Sequence, residues 1–402
     1  MFDVVIIGTD INAYYMARNF HEEYNIKPHL IGKEKMLFTH LSNILTYELD
    51  NNLWDSETFT KKLEEYALSK KDKKIILVAS NDHYVRLIVE NKAFLEKYYL
   101  FIYPDLEIIN NLLLKDNFYK NYKDSILNLP KTYIYDCAHD TNFDQELSYP
   151  IIVKPSDGVK YYENKFSNQA KVYKIYDIDE LRYIINQIQL SGYKEKIIIQ
   201  EFIPGDDSCL FDSILYVNKK HEVEVMSFAQ IGLQEHTKTG VGNCTVLVNG
   251  YNQFGNTNET IEHLKCFLTS IKYQGIAEFD LKYDIKTKKF KVLEINPRQA
   301  RSSYYLTACG HNLAKYLVDE LIYNKNKEFK YINEKMLLTF VPKKVIKRYV
   351  VNKELKKEIL NLIKIKKYTN PLKYNKDSNL KRKIWLFLRD YNYMRKYKNN
   401  KW

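Results

Sequence analysis

The sequence predicts an α/β protein: a small N-terminal parallel-sheet domain, a larger mixed α+β region, and a basic C-terminal extension. Three observations carry this reading. Asp3–Gly8 is a short apolar run ending in glycine, and it passes into a helical segment, Asn12–Tyr24. That is the strand–turn–helix opening of an α/β unit. Far along the chain, Ala277–Tyr283 and Phe290–Asn296 flank a polar turn, Asp284–Lys289, and read as a hairpin. The charge is also uneven. Residues 341–402 hold 20 Lys and Arg against 4 Asp and Glu, a net of +16, while the rest of the chain nets −4. The basic surplus therefore belongs to the tail.

The elements follow in order. After the opening unit, a helix at Glu57–Ser69, an apolar strand at Lys74–Ala79, a helix at Asp82–Lys92 and a strand near Tyr98–Tyr103 complete a domain over residues 1–109. The region 110–325 begins with a helix, Asn110–Tyr122, that contains Lys115. Ser148–Lys154, Lys171–Ile175 and Lys196–Glu201 read as strands, and Ile178–Gln189 as a helix. Ser213–Val217 and Val223–Gly232 are further strands, Glu259–Ile271 is a helix, the hairpin follows, and Ser303–Tyr323 is again helical. In residues 326–402 the periodicity predicts helices at Lys353–Ile365 and Leu380–Tyr397.

Composition bounds the function. Apolar residues make up 45% of the chain and glycine and proline are scarce (12 and 9), so the chain can build real cores. The five cysteines (137, 209, 244, 266 and 309) are scattered and lack CxxC spacing, which argues against a zinc site and fits a reducing compartment. Met1–Ile7 enters a strand directly, and no apolar run reaches about 18 residues. A cytoplasmic protein is expected. Gly8 sits where nucleotide folds place a phosphate turn, but the run Gly8-Thr-Asp-Ile-Asn-Ala lacks the further glycines of a dinucleotide fingerprint.

The hairpin carries the chemistry. Side chains alternate along a strand, so Glu294 and Asn296 share one face and Glu278 and Asp280 share a face of the preceding strand. Paired, the two strands bring Asp280, Glu294 and Asn296 together as a hard, all-oxygen set. Such a set suits Mg²⁺ (or Mn²⁺), which keeps waters and leans on substrate phosphates. Arg298 adds a guanidinium able to clamp phosphate or carboxylate. The plain alternative is a solvated hairpin with ordinary surface charges.

Here the sequence resembles a known superfamily. Glu278-Phe-Asp280 followed by Leu293-Glu-Ile-Asn-Pro-Arg298 is similar to the metal-binding end of ATP-grasp enzymes, the carboxylate–amine ligases. Pro150-Ile-Ile-Val-Lys154-Pro resembles their phosphate-lysine strand, and Ile197-Ile-Ile-Gln-Glu201-Phe-Ile-Pro-Gly-Asp-Asp207 their interlobe hinge. Within the superfamily, Gly8–Phe20, Phe202–Ser208, Phe279–Asp284, Val341–Lys344 and Lys381–Leu388 resemble the D-aspartate ligases of Gram-positive cell-wall synthesis.

The resemblance implies two lobes, about 110–207 and 208–325, behind a domain that helps shape the acceptor site. It implies ATP as cosubstrate, with Lys115 and Lys154 on its phosphates, Glu201 and Ile203 reading adenine, Phe202 between them and Asp207 on the ribose. It makes Lys154 and Arg298 the groups that stabilise the transferring phosphoryl group. It also implies an amino-acid carboxylate as substrate and an amine acceptor such as a UDP-linked muropeptide, with amide formation through an acyl phosphate. Arg301, Ser302 and Ser303 could bind the carboxylate substrate; alternatively, Ser302 caps the helix from Tyr304 onward. Lys115 could instead be a surface lysine, and Asp206-Asp207 a solvated turn. His236 and Lys238 could face the acceptor or belong to an ordinary loop.

One departure stands out. Between Ser156 and Phe166 only Gly158 remains where many superfamily members have a glycine-rich flap, so no phosphate contact is assigned there. Two rival readings stay open: the same chemistry on another carboxylate and amine, or a non-catalytic ATP-binding protein that acts through its tail. Nucleic acid is not expected as a partner. In the tail, Ile384-Trp-Leu-Phe-Leu388 between Lys381-Arg-Lys383 and Arg389 suits an anionic membrane surface, which would place the protein at the inner face of the membrane. The same run could instead pack the helix onto the body, or its field could steer an acidic acceptor.

Overall fold

A computed structural model describes residues 2–70, 73–143, 145–237 and 240–399. It contains three sheets. The first is fully parallel, with order β3-β2-β1-β4, from β1 (Phe2–Ile7), β2 (His29–Gly32), β3 (Thr46–Leu49) and β4 (Lys74–Ala79). Its helices Ile11–Tyr24, Ser56–Leu68 and Asp82–Glu90 each begin at an Asp or Asn (Asp10, Asp55 and Asn81) whose side chain accepts a first-turn N–H. Strands β1 and β4 are nearly continuous in apolar residues because helices cover them. Residues Tyr98–Tyr103 do not form the expected strand: Leu100 makes a single parallel bridge to Ile76.

The second sheet is antiparallel, order β5-β8-β6-β7, from β5 (Thr132–Asp136), β6 (Ile151–Pro155), β7 (Tyr173–Ile175) and β8 (Lys196–Glu201). With the helix Ile178–Leu190 it buries its own core, Val153, Ile185, Ile197 and Ile199 among others. The expected helix Asn110–Tyr122 is broken. It is two helices, Leu106–Leu113 and Lys115–Asn121, separated by extended Leu114 (φ −85°, ψ 114°). The break follows from packing: the Asp116 N–H donates to Ser156 Oγ at 3.1 Å and the Asp116 carboxylate meets Lys196 at 3.0 Å, which ties the second helix to β6 and β8.

The third sheet has nine strands. Its main path is β14-β13-β9-β11-β12-β16-β17, and β10 and β15 branch from β9. The strands are β9 (Leu210–Val217), β10 (Val223–Ser227), β11 (Ala229–Gln234), β12 (Cys244–Asn249), β13 (Gly275–Asp284), β14 (Lys289–Asn296), β15 (Lys330–Ile332), β16 (Met336–Thr339) and β17 (Tyr368–Thr369). The run Val223–Gly232 splits at Phe228, because β10 and β11 pair with different ends of β9. Likewise Ser303–Tyr323 divides into helices Tyr304–Ala308 and Leu313–Leu321 around Gly310 (φ 85°), a backbone that glycine adopts without strain.

Residues beyond 326 are woven into this body. They supply β15, β16 and β17, and Val345, Ile346, Leu355, Ile359 and Tyr397 share a core with Val246 and Val248 of β12. The helices Lys353–Lys364 and Leu380–Asn399 match the predicted periodicity. Near the second of these, Asp377 and Arg382 form a fully buried ion pair at 3.2 Å. Asp377 also accepts hydrogen bonds from Tyr14 (3.0 Å), Ser42 (2.9 Å) and the Asn43 N–H (2.7 Å), which fastens the C-terminus to the N-terminal domain. Among the described residues no helix is long and apolar enough to cross a membrane. All five cysteines are free thiols.

Candidate active site

The strands β9, β13 and β14 lie side by side, and their register assembles the centre. Asp280 pairs with Glu294 on one side and with Asp212 on the other, and Glu278 pairs with Asn296. Cross-strand partners share a face, so Asp212, Asp280 and Glu294 form a row of carboxylates across three strands. A β-bulge at Leu293 sets their aim. Val292 and Ile295 are three apart, yet both enter the core, which a regular strand forbids. The bulge absorbs the odd residue and leaves the Leu293 carbonyl to accept from Tyr119 Oη at 2.5 Å.

The row crowds buried negative charge together. Burial, with Asp280 beside it, pushes the Asp212 carboxyl up to about 7. Burial and then Asp212 raise Glu278, and burial, Glu278 and Glu294 raise Asp280, both well above the usual carboxylate range. Glu294 differs. Burial pushes it up, but Lys115, Lys171, Lys154 and Arg298 outweigh that and hold it at about 2. Among the described residues no group of three or more Asp, Glu, His or Cys side chains is placed to hold a metal ion. The Asp280–Glu294 pair offers two carboxylates, the number that usually holds Mg²⁺ together with substrate phosphates and water. Asn296 is only partly available: its Nδ2 donates to Glu278 at 2.5 Å and its Oδ1 accepts from Arg298 Nη2 at 3.0 Å.

The two predicted phosphate lysines converge on this row from separate elements. Lys115 opens its helix and lies 3.5 Å from Glu294. Burial works against its ammonium, but Glu294 and its neighbours raise the pKa above the ordinary lysine value. Lys154 on β6 donates to Tyr119 Oη at 3.3 Å. Burial first, and the Lys115 charge second, pull its pKa down to about 8. The Ser156–Phe166 segment, where a flap was missing, holds a short helix, Gly158–Glu163.

Where the hinge leaves β8, the Glu201 carboxylate accepts the Lys131 N–H at 2.9 Å and an ion pair from Lys291, so its side chain is engaged within the protein. Phe202 is partly exposed, with Lys174 Nζ 4.1 Å above its ring, and Ile203 is buried. Asp207 accepts from the Gln234 N–H at 3.0 Å and from Gln234 Nε2 at 2.7 Å, and His236 Nε2 lies 3.4 Å away. Those partners outweigh burial and lower its pKa. The solvated-turn reading of Asp207 is therefore not met, whereas Asp206 does make a turn, accepting from the Ser208 N–H at 2.8 Å.

The segment after the hairpin reaches toward the N-terminal domain. Arg298 Nε lies 2.7 Å from Asp82 Oδ1, so the first residue of an N-terminal-domain helix holds the guanidinium beside the carboxylate row. Arg301 lies 3.7 Å from Glu235. Ser302 donates to Asp212 at 2.6 Å rather than capping a helix. The capping position belongs to Ser303, whose Oγ instead accepts the Ala300 N–H at 2.8 Å. His236 is half-buried against Tyr397. Lys238 lies outside the described residues.

Sequence reasoning missed Asp212, Lys171, Tyr119 and Asp82. Asp212 left a signal, a single acid in a mostly apolar strand, Leu210–Val217. Nothing in the local sequence marks the other three.

Solved structures share this architecture. An N5-carboxyaminoimidazole synthetase from Staphylococcus aureus, complexed with ADP, superposes with a TM-score of 0.62 at 13% identity, over 84% of this chain and 81% of that one. An L-amino acid ligase from Bacillus licheniformis gives 0.57 at 15% identity, over 82% and 75%. The biotin carboxylase domain of 2-oxoglutarate carboxylase from Hydrogenobacter thermophilus, a complex with MgADP and bicarbonate, gives 0.59 at 14%, over 82% and 72%. No family model matches the chain. Fold and sequence kinship together define the class: an ATP-grasp enzyme, an ATP-dependent carboxylate–amine ligase. In sequence, the D-aspartate ligase of Enterococcus faecium (strain Aus0004) is 32% identical over 328 residues, 80% of this chain and 77% of the relative. The chain belongs to the D-aspartate ligase family.

Proposed function

We propose that this ligase joins the β-carboxylate of D-aspartate to the lysine side chain of a peptidoglycan precursor, a UDP-linked muropeptide, at the expense of ATP. The observation that carries the reading is the Asp280–Glu294 cross-strand pair, met by Lys115 at 3.5 Å from Glu294 and by Lys154 close by. Carboxylates and lysines brought together this way can hold a nucleotide's phosphates and its cation at once.

In this reading the hinge, Glu201–Ile203, offers backbone groups to adenine, Phe202 lies between them, and Asp207 faces the ribose. Lys115 and Lys154 take phosphate oxygens. Asp280, Glu294 and Asn296 would hold Mg²⁺, with Mn²⁺ as a substitute, and the cation supplies charge neutralisation at the phosphates. The amino-acid carboxylate attacks the γ-phosphorus, ADP leaves, and the carboxylate becomes an acyl phosphate. Lys154 and Arg298 stabilise the charge on the transferring group. The acceptor amine then attacks the acyl carbon, phosphate departs with one former carboxylate oxygen, and the amine gives up a proton. Arg301, Ser302 and Ser303 line the substrate side. ATP and a UDP-linked acceptor place the reaction in the cytoplasm.

ADP release measured over D- and L-amino acids, with and without the muropeptide, tests the substrates. D-aspartate with the muropeptide should dominate, and a stronger response to another pair would replace this assignment. With ¹⁸O-carboxylate, one label should reach the phosphate; label-free phosphate during amide synthesis removes the acyl phosphate.

A further inference from the structure

The C-terminal helix Leu380–Asn399 has two unlike faces. On one, Arg382, Tyr393 and Tyr397 are buried. Tyr393 donates to Glu235, and Tyr397 donates to the Gln234 carbonyl at 2.7 Å. On the other, Leu380, Ile384, Phe387, Leu388 and Tyr391 are 73, 52, 72, 56 and 55% exposed. Their spacing places them on a single stripe of the helix. Scattered exposed apolar side chains are ordinary, but five large ones on one stripe are not. The predicted run Ile384–Leu388 is thus divided: Leu386 packs toward the core while Ile384, Phe387 and Leu388 face outward.

The stripe is rimmed by cations. Lys381 and Lys383 flank its first turns, and Arg395, Lys396 and Lys398 are exposed beyond it. The helix Lys343–Tyr349 packs against this helix and exposes Lys343, Lys344, Lys347 and Arg348.

We propose that this face of the C-terminal helix docks on an anionic lipid surface. The apolar stripe would lie at the boundary of headgroups and acyl chains, and the cations would meet lipid phosphates. Long lysine and arginine stems let the charges reach the headgroups while the stripe sinks. Nucleic acid would pair with the cations but leaves the aliphatic Leu380, Ile384 and Leu388 in water. A second copy of the chain would set one basic rim against another. The helix is about 10 Å across. Its inner face rests on Glu235, which lies 3.7 Å from Arg301, so docking would hold the substrate side of the site next to the membrane. The docking face and the ligase chemistry use different residues, so vesicle binding and ADP release report on them separately.

The test uses the full chain and sedimentation with vesicles of phosphatidylglycerol and phosphatidylcholine, against phosphatidylcholine alone, at low salt. The protein should pellet with the anionic vesicles and stay in solution with the neutral ones. Partitioning should fall roughly tenfold or more when Leu380, Phe387 and Leu388 are all changed to Ser, and again in a Lys381→Glu, Lys383→Glu variant, with circular dichroism and ADP release in solution unchanged. A protein that stays in the supernatant with anionic lipid overturns the proposal, as does a serine variant that binds like the wild type or equal binding to neutral vesicles. A stripe whose loss only dissolves a dimer, or only weakens RNA retention, overturns it as well.

Discussion

Two buried charge clusters in this chain behave in opposite ways. Around Asp377 the carboxylate is satisfied within the protein: Arg382 pairs with it, and Tyr14, Ser42 and the Asn43 N–H complete its hydrogen bonds. Around Asp280 it is otherwise. Asp212, Glu278 and Asp280 are pushed toward protonation, while Lys154 nearby is pushed toward neutrality. The first cluster joins the C-terminus to the N-terminal domain, and its acid is matched by a cation of the same chain. The second keeps unlike charges in excess on separate elements, the arrangement expected where ligands complete the balance. Burial alone does not separate structure from function; the balance of buried charge does.

Substitutions can test that contrast. The largest effect should come from Glu294→Gln, which removes the carboxylate held at about 2 and should cut ADP release at least about a hundredfold while the melting temperature holds. Near-normal turnover would remove the metal assignment. In the closed cluster, Arg382→Leu should cost about 3–5 kcal/mol in urea unfolding, because Asp377 stays buried without its cation. A loss below about 1 kcal/mol would show that the hydrogen bonds to Asp377 suffice alone.

The next effect is smaller and depends on pH. Lys154 titrates near 8, so it is charged below that pH and neutral above it. The phosphate role proposed for Lys154 needs the charged form. The Michaelis constant for ATP should therefore climb as pH rises through 8, by about tenfold at pH 9. Lys154→Arg stays charged and should flatten the profile. A profile equally steep in that variant would assign the titration elsewhere. Smallest of all, Tyr119→Phe deletes the bond to the Leu293 carbonyl and the contact with Lys154, and should cost about 1 kcal/mol of stability. A loss above about 3 kcal/mol would make Tyr119 a keystone rather than a brace.

Much of the centre was legible because alternation and turn chemistry are local. Asp280 and Glu294 could be paired from a hairpin pattern alone, and the register agrees. The split of Asn110–Tyr122 was not legible, since its residues suit a continuous helix and the break is imposed by Ser156 and Lys196, distant in sequence. The short strands β2 and β3 escaped notice as well: each is only 4 residues long, and the 4 residues of β3 are all at least partly exposed. Asp212 was overlooked because a lone acid in a strand acquires meaning only when two neighbouring strands bring Asp280 and Glu294 beside it. The tail's charge was read correctly as uneven, but charge gave no hint that β15, β16 and β17 would join the main sheet.

The bulge at Leu293 has a consequence for comparing chains. It works as a change of reading frame within one strand: counted from the turn, inward positions fall on one parity, and counted from the site, on the other. A related chain without the extra residue must align with a one-residue gap at Leu293. Such a chain keeps its pair of acids opposite one another but loses the free carbonyl that anchors Tyr119, and with it the ring that supports Lys154. A single-residue gap in that strand, easily dismissed as noise, therefore marks a different way of seating Lys154.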